Sequence, residues 1–170
     1  MAYTLISSVT IGAGGAANIA FTGIPATYTD LLLVTSLRTT DTATTRADCQ
    51  IAFNNGGSSS WRGMYTDRGA APSTNSSTQT GSFYWNMGAT ANDATTNTFA
   101  NTQLYLANYT STGLKTASSE SVCETNSSSG SITLIANSFN NSAATTSLTI
   151  TSAYGGNFVQ YSTASLYGIK

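Results

Sequence analysis

Apolar residues recur at every second position along most of this chain, and Gly, Asn and Ser interrupt the alternation at short intervals. Tyr3, Leu5, Val9 and Ile11 share one face of the first alternating segment, and Gly12 to Gly15 ends it as a turn. Ile19 and Phe21 open a second segment, and Gly23 and Pro25 place a turn ahead of Asp30. The run Leu31, Leu32, Leu33, Val34 and Leu37 is apolar on both faces. It predicts a central strand covered on both sides, either within a sandwich or at a subunit contact. Cys49, Ile51 and Phe53 alternate next, and Asn54 to Gly57 with the serines after it reads as a hairpin turn or loop. Trp61, Met64 and Tyr65 belong to a strand or ordered loop, and Phe83, Trp85 and Met87 share one face of another strand. The polar tracts at 69–80 and 88–98 read as exposed loops.

Beyond Phe99 the strands come closer together. Leu104 and Leu106 oppose Tyr105; Leu114 to Val122 is a weaker strand; Asn126 to Gly130 is a turn; Ile132 and Leu134 oppose Ile135; Leu148 and Ile150 alternate. The last segment, Phe158 to Ile169, sets Val159, Tyr161, Tyr167 and Ile169 against Phe158, Ala164 and Leu166. This amounts to roughly eight to ten strands with no substantial helix. The expected fold is all-β: an antiparallel, jelly-roll-like β-sandwich with its sheets about 10 Å apart, forming a single domain over residues 1–170.

Composition sharpens this picture. Charged residues make up only 8% of the 170 positions, so Ser, Thr and Asn must cover the solvent face, and Glu, Lys, Arg, Gln and Leu, which long amphipathic helices need, are scarce. A net charge of −1 provides no long-range field toward nucleic acid or an anionic membrane. No apolar stretch approaches the roughly 20 residues of a spanning helix, and no leader pattern follows Met1, so neither a membrane span nor cleaved export is expected. Without an export signal, Cys49 and Cys123 are expected to be free, buried thiols.

The chain contains no histidine, which removes Ser-His-Asp and Cys-His catalysis and the histidine-containing zinc sites. Neither a GxxxxGK[ST] phosphate loop nor an EF-hand pattern occurs. Seven carboxylates remain, Asp30, Asp41, Asp48, Asp67, Asp93, Glu120 and Glu124, and two of them would suffice for glycoside hydrolysis at a spacing that sequence does not reveal. Asp30 reads as a hydrogen-bonded residue at the start of its strand, with Arg38 or another basic group as partner; Asp41, Asp48 and Asp67 read as loop-solubility residues or turn caps. The reading assigns no catalytic residue, metal or cofactor. Trp85, in step with Phe83 and Met87, is expected in the core. Trp61 and Tyr65, with Arg62 and Arg68, form the candidate contact set for a protein partner or a glycan, since exposed aromatics stack on sugar rings.

Two segments, Phe21-Thr-Gly-Ile-Pro-Ala-Thr-Tyr-Thr-Asp-Leu-Leu-Leu33 and Phe158-Val-Gln-Tyr-Ser-Thr-Ala-Ser-Leu-Tyr-Gly-Ile169, resemble the opening and closing segments of small virion proteins of marine and freshwater tailed phages, cyanophages included. Ile51-Ala-Phe-Asn-Asn55 and Leu104-Tyr-Leu-Ala-Asn-Tyr-Thr-Ser-Thr-Gly-Leu-Lys-Thr116 match the same series, whereas 56–98 does not align. The resemblance implies particle structure: head decoration, cement or knob proteins, or tail-fibre and receptor-binding components, typically β-sandwiches that form homotrimers. It transfers no catalytic residue. The expectation is a capsid decoration protein on the outer surface of the virion, assembled in the host cytoplasm and held to the major capsid protein, with 56–80 and 88–98 facing outward. The alternative is a tail component recognising cell-surface glycan. The first strand beginning almost at Met1, with no shaft or attachment segment ahead of it, favours the head.

Overall fold

The computed structural model describes residues 2–42, 46–54, 58–67, 70–80, 87–126 and 130–170. Those residues form twelve strands and no helix. In chain order they are β1 (Tyr3–Thr10), β2 (Asn18–Thr22), β3 (Asp30–Leu37), β4 (Arg46–Phe53), β5 (Ser58–Asp67) and β6 (Ser73–Thr80). Then come β7 (Met87–Thr90), β8 (Ala100–Ala107), β9 (Lys115–Glu124), β10 (Gly130–Asn140), β11 (Ser147–Ser152) and β12 (Thr163–Ile169). An eight-stranded sheet runs β1-β12-β3-β8-β9-β10-β5-β6, and a four-stranded sheet runs β2-β11-β4-β7. The strand pairings within both sheets are antiparallel.

The topology is a jelly roll with two additions. Set aside β5–β6 and β9–β10, and two four-stranded sheets remain, β1-β12-β3-β8 and β2-β11-β4-β7. The chain crosses between them from β1 to β2, β3 to β4, β7 to β8 and β11 to β12, the double Greek key of that fold. The two additional hairpins pair with each other through β10 and β5 and extend the first sheet beyond β8. They account for the strands beyond the expected eight to ten.

Strand alternation delivers the core. Leu31, Leu33 and Leu37 of β3, Leu104 and Leu106 of β8 and Leu166 of β12 point inward and are at most 1% exposed. They meet Ile19 and Phe21 of β2, Ile51 and Phe53 of β4, and Leu148 and Ile150 of β11. Each such side chain contributes about 1.5–3 kcal/mol on burial. The Phe53 and Phe139 rings, 5.5 Å apart, tie the β9–β10 hairpin to the smaller sheet. Cys49 and Cys123 are buried free thiols, and burial raises the Cys49 pKa.

Several expectations are corrected. A β-bulge between Leu5 and Ser7 inserts one residue into β1. Tyr3 and Leu5 therefore face outward at 58% and 54% exposure while Val9 packs on the core, so the four apolar residues of that segment do not share a face. Residues 73–80 are not a loop but the edge strand β6, paired along its length with β5. The tract 88–98 begins as strand, with Ala89 and Thr90 fully buried against the larger sheet, before turning. Tyr161 adopts φ 72°, which ends the alternation expected from Phe158, and the regular strand begins only at Thr163. Asp30 does not pair with Arg38: it accepts hydrogen bonds from the Tyr105 hydroxyl and from the Asn108 amide at 2.8 Å. The buried Arg38 guanidinium instead donates to the carbonyls of Asn92, Ala94, Thr95 and Thr98 at 2.8–3.2 Å, gathering the 91–99 segment around itself. Asn55 to Gly57, Phe83, Trp85, the Met87 side chain and the middle of the 126–130 turn lie outside what is described.

Candidate groove on the outer face of the larger sheet

The smaller sheet covers one face of the larger one. On the opposite face a groove of about 920 Å³ crosses β3, β8, β9, β10, β5 and β6. Its floor is built from two rows of directly paired residues. One row runs Leu32, Tyr105, Ser118, Ala136, Arg62 and Ser76. The other, two residues along each strand, runs Gln103, Glu120, Leu134, Met64 and Thr74. A period of two puts both rows on the same side of the sheet, and direct neighbours within a row lie about 4.5–5.5 Å apart at Cβ. A third row pairs Val122 with Ile132, both about half exposed. On the β1 side, Tyr3 stands directly opposite Ile169, which is 2% exposed although it points outward and lies outside the main core.

The polar groups of the groove are few and distinct in character. Tyr105 donates its hydroxyl to Asp30, and this bond, with burial and the nearby carboxylate charge, pushes its pKa up to about 12. The ring is therefore neutral and held in place at ordinary pH. Glu120 and Gln103 are exposed and directly opposite each other across β9 and β8. Arg62 is exposed, and its guanidinium donates to its neighbour's carbonyl, Trp61 O, at 3.0 Å. The groove lining thus carries one cation and one anion, set among aliphatic side chains.

The sequence-predicted contact residues do not converge. Arg62 lines the groove. Trp61, one residue earlier, faces the opposite way, 6% exposed, with its ring over Gly63: a Cβ there would lie 3.2 Å from the ring. Tyr65 shares that inner side, half-buried, with the Arg46 guanidinium 5.7 Å from its ring centroid. Arg68 lies outside the described residues. Alternation along β5 is what divides the set. The groove residues without a contact role in the sequence reading are Tyr105, Gln103, Glu120, Leu134 and Met64, Glu120 having entered only among the seven carboxylates. Ile132 and Leu134 opposing Ile135 gave one usable signal, apolar residues on both faces of β10, just as in β3.

Other polar clusters serve the fold. Asp41 is buried and accepts from Ser152 Oγ at 2.6 Å and from the Gly156 amide at 2.8 Å, which closes a turn. Lys115, 1% exposed, donates from Nζ to the Asn141 carbonyl at 2.7 Å, and burial lowers its pKa. Among the described residues no group of three or more potential metal-ligating side chains converges. No family model, curated protein or solved structure matches the chain.

Proposed function

We propose that this chain is a non-catalytic binding module of a tailed-phage particle, a capsid decoration protein on the outer head surface, held to the major capsid protein as a homotrimer. The observation that carries this reading lies on the outer face of the larger sheet beside the groove, where Val122 pairs with Ile132, 49% and 52% exposed. An exposed apolar pair on a nearly uncharged surface suits packing against other proteins, and many weak contacts multiply when copies are arrayed. The four segments that resemble virion proteins lie on β2, β3, β4, β8 and β12 with their adjoining turns, and the segment 104–116 reaches the first two residues of β9. The five are strands of the basic jelly roll, and the unaligned stretch 56–98 contains the β5–β6 hairpin and one basic strand, β7. A shared scaffold with a divergent insertion would give that distribution.

Quantitative mass spectrometry of purified particles tests the reading. On the order of hundreds of copies per particle is the expected result, as an arrayed head protein requires. A few dozen or fewer would place the chain in the tail, and absence from particles would defeat the assignment altogether. The tail reading, in which the module recognises a cell-surface glycan, is favoured by the amphipathic groove, whose lining mixes aliphatic, aromatic and hydrogen-bonding groups.

A further inference from the structure

We propose that the groove binds a carbohydrate chain of several pyranose units carrying little or no net charge. The inference rests on the reading of this protein as a binding module but not on its post in the particle.

Shape is the first argument. The groove is a concavity spanning six strands, and a flat partner face laid across it, a second copy of this sheet included, would leave an unfilled void. Protein interfaces pack as densely as protein interiors, so such a void would forfeit much of the contact. A slender chain follows a concavity that a broad surface bridges.

Chemistry narrows the class. Arg62 carries donors only, and ionised Glu120 carries acceptors only. From the register they stand two strands and two residues apart, about 12 Å between Cα atoms. An apolar peptide laid over them would take both charges out of water while offering neither a new partner, which is unfavourable. A sugar hydroxyl both donates and accepts, so successive units of one chain can satisfy Glu120 and Arg62, with Gln103 and Asn75 completing the set. The apolar C–H faces of pyranose rings meet Leu134 and Met64 between the charges and Tyr105 on the other side of Glu120.

Main-chain recognition is closed off on the groove floor. The floor lies mid-sheet, where β8, β9, β10 and β5 use their backbone groups in ladders with one another, so an extended peptide finds no free ladder there, and the sheet's free edge, β6, lies at the far end of the groove. One positive and one negative side chain in the lining also disfavour a polyanionic ligand, which Glu120 would repel. Tyr105, tied to Asp30, is already fixed and loses little freedom on contact, the condition under which a modest ring contact produces measurable affinity.

The test uses the full-length protein on an array of defined neutral and acidic oligosaccharides, followed by calorimetry with the retained tetrasaccharides, taking cello-, malto-, manno- and chitotetraose as solution probes. Retention of neutral chains is expected. Glu120→Gln and Arg62→Gln, both at exposed positions where folding is preserved, should each weaken binding about tenfold or more, because each removes a charge-assisted hydrogen bond. Tyr105→Phe, which keeps the ring, should change affinity far less than either. Failure to retain or bind any glycan would overturn the proposal. So would binding indifferent to both charge substitutions, or a self-associated form in sedimentation that Leu134→Glu takes apart. Absence of the protein from purified particles would sink the particle assignment and leave this titration unaffected.

Discussion

Tyr105 owes its chemistry to two neighbours that sequence separates widely, Asp30 and the sheet it lies on. Its ring faces outward because Leu104 and Leu106, on either side, face inward, and its hydroxyl reaches the carboxylate at the start of the adjacent strand. The raised pKa, to about 12, favours the protonated phenol in the folded state. Its contribution to stability is therefore fully present below the ordinary tyrosine value near 10, and is lost as pH rises from about 10 through about 12. Asp30→Asn removes the charged acceptor. In an alkaline absorbance titration the variant should show one tyrosine moved from the late phase toward pH 10. Its stability deficit relative to the natural chain should be constant below pH 10 and shrink above it. Equal titration curves for the two proteins would contradict the role given to Asp30. Its neighbour in the groove, Arg62, was identifiable from sequence as an exposed residue, whereas Trp61 was not identifiable as core. An isolated aromatic beside a glycine-containing strand has no periodic partners in sequence, and only the fold of its ring over Gly63 accounts for its burial.

At the scale of elements, period-two alternation located β2, β3, β4, β8, β10 and β11 because each has one face against the core. It failed where pairing, not burial, makes the strand. β6 is Ser, Thr, Asn and Gln throughout, and it exists because β5 offers an open ladder edge. A polar edge strand of this kind also discourages edge-to-edge aggregation. Alternation failed again at the β1 bulge, where one inserted residue exchanges the faces. In β12 the tight position is Gly168, on the inner side of the strand against Tyr28: a Cβ there would lie 2.2 Å from the root of the ring. Gly168→Ala should therefore destabilise by about 2–3 kcal/mol, as overpacking against a fixed ring does. Gly12→Ala, where nothing lies within 4 Å, should stay within about 0.5 kcal/mol. Urea denaturation of the two variants checks the contrast, and equal midpoints would show that Tyr28 yields freely.

For the whole molecule, the decisive arrangement is that β12, the last strand of the chain, sits between β1 and β3 in the larger sheet. Residues 3–10 meet 163–169, so the sheet closes only when both ends of the chain are in place. Contacts so distant in sequence make loop closure an early cost of folding, and such topologies fold slowly. Removing residues 163–170 would leave β1 and β3 without their shared partner and expose Leu33 and Leu31 beside an empty lane. The truncated chain should lose its near-ultraviolet circular dichroism and its cooperative thermal transition. A truncated protein that melts as sharply as the full chain would refute that central role. The same topology assembles the groove: its lining comes from strands between residues 32 and 136, brought side by side by two hairpin additions that pair with each other.

From sequence alone, the scarcity of Glu, Lys, Arg, Gln and Leu and the period-two pattern specified an all-β sandwich, because these properties act between neighbours in the chain. The absence of histidine and the near-neutral charge narrowed the chemistry for the same local reason. Apolar residues on both faces of β3 signalled a strand covered on both sides; on the outer face Leu32 and Val34 are half-buried. Which residues share that face was decided only by tertiary structure. Register between strands, the bulge in β1 and the pairing of β10 with β5 depend on contacts far apart in the chain. A shift of one residue at any of them would turn Arg62, Glu120 or Tyr105 to the opposite side of the sheet.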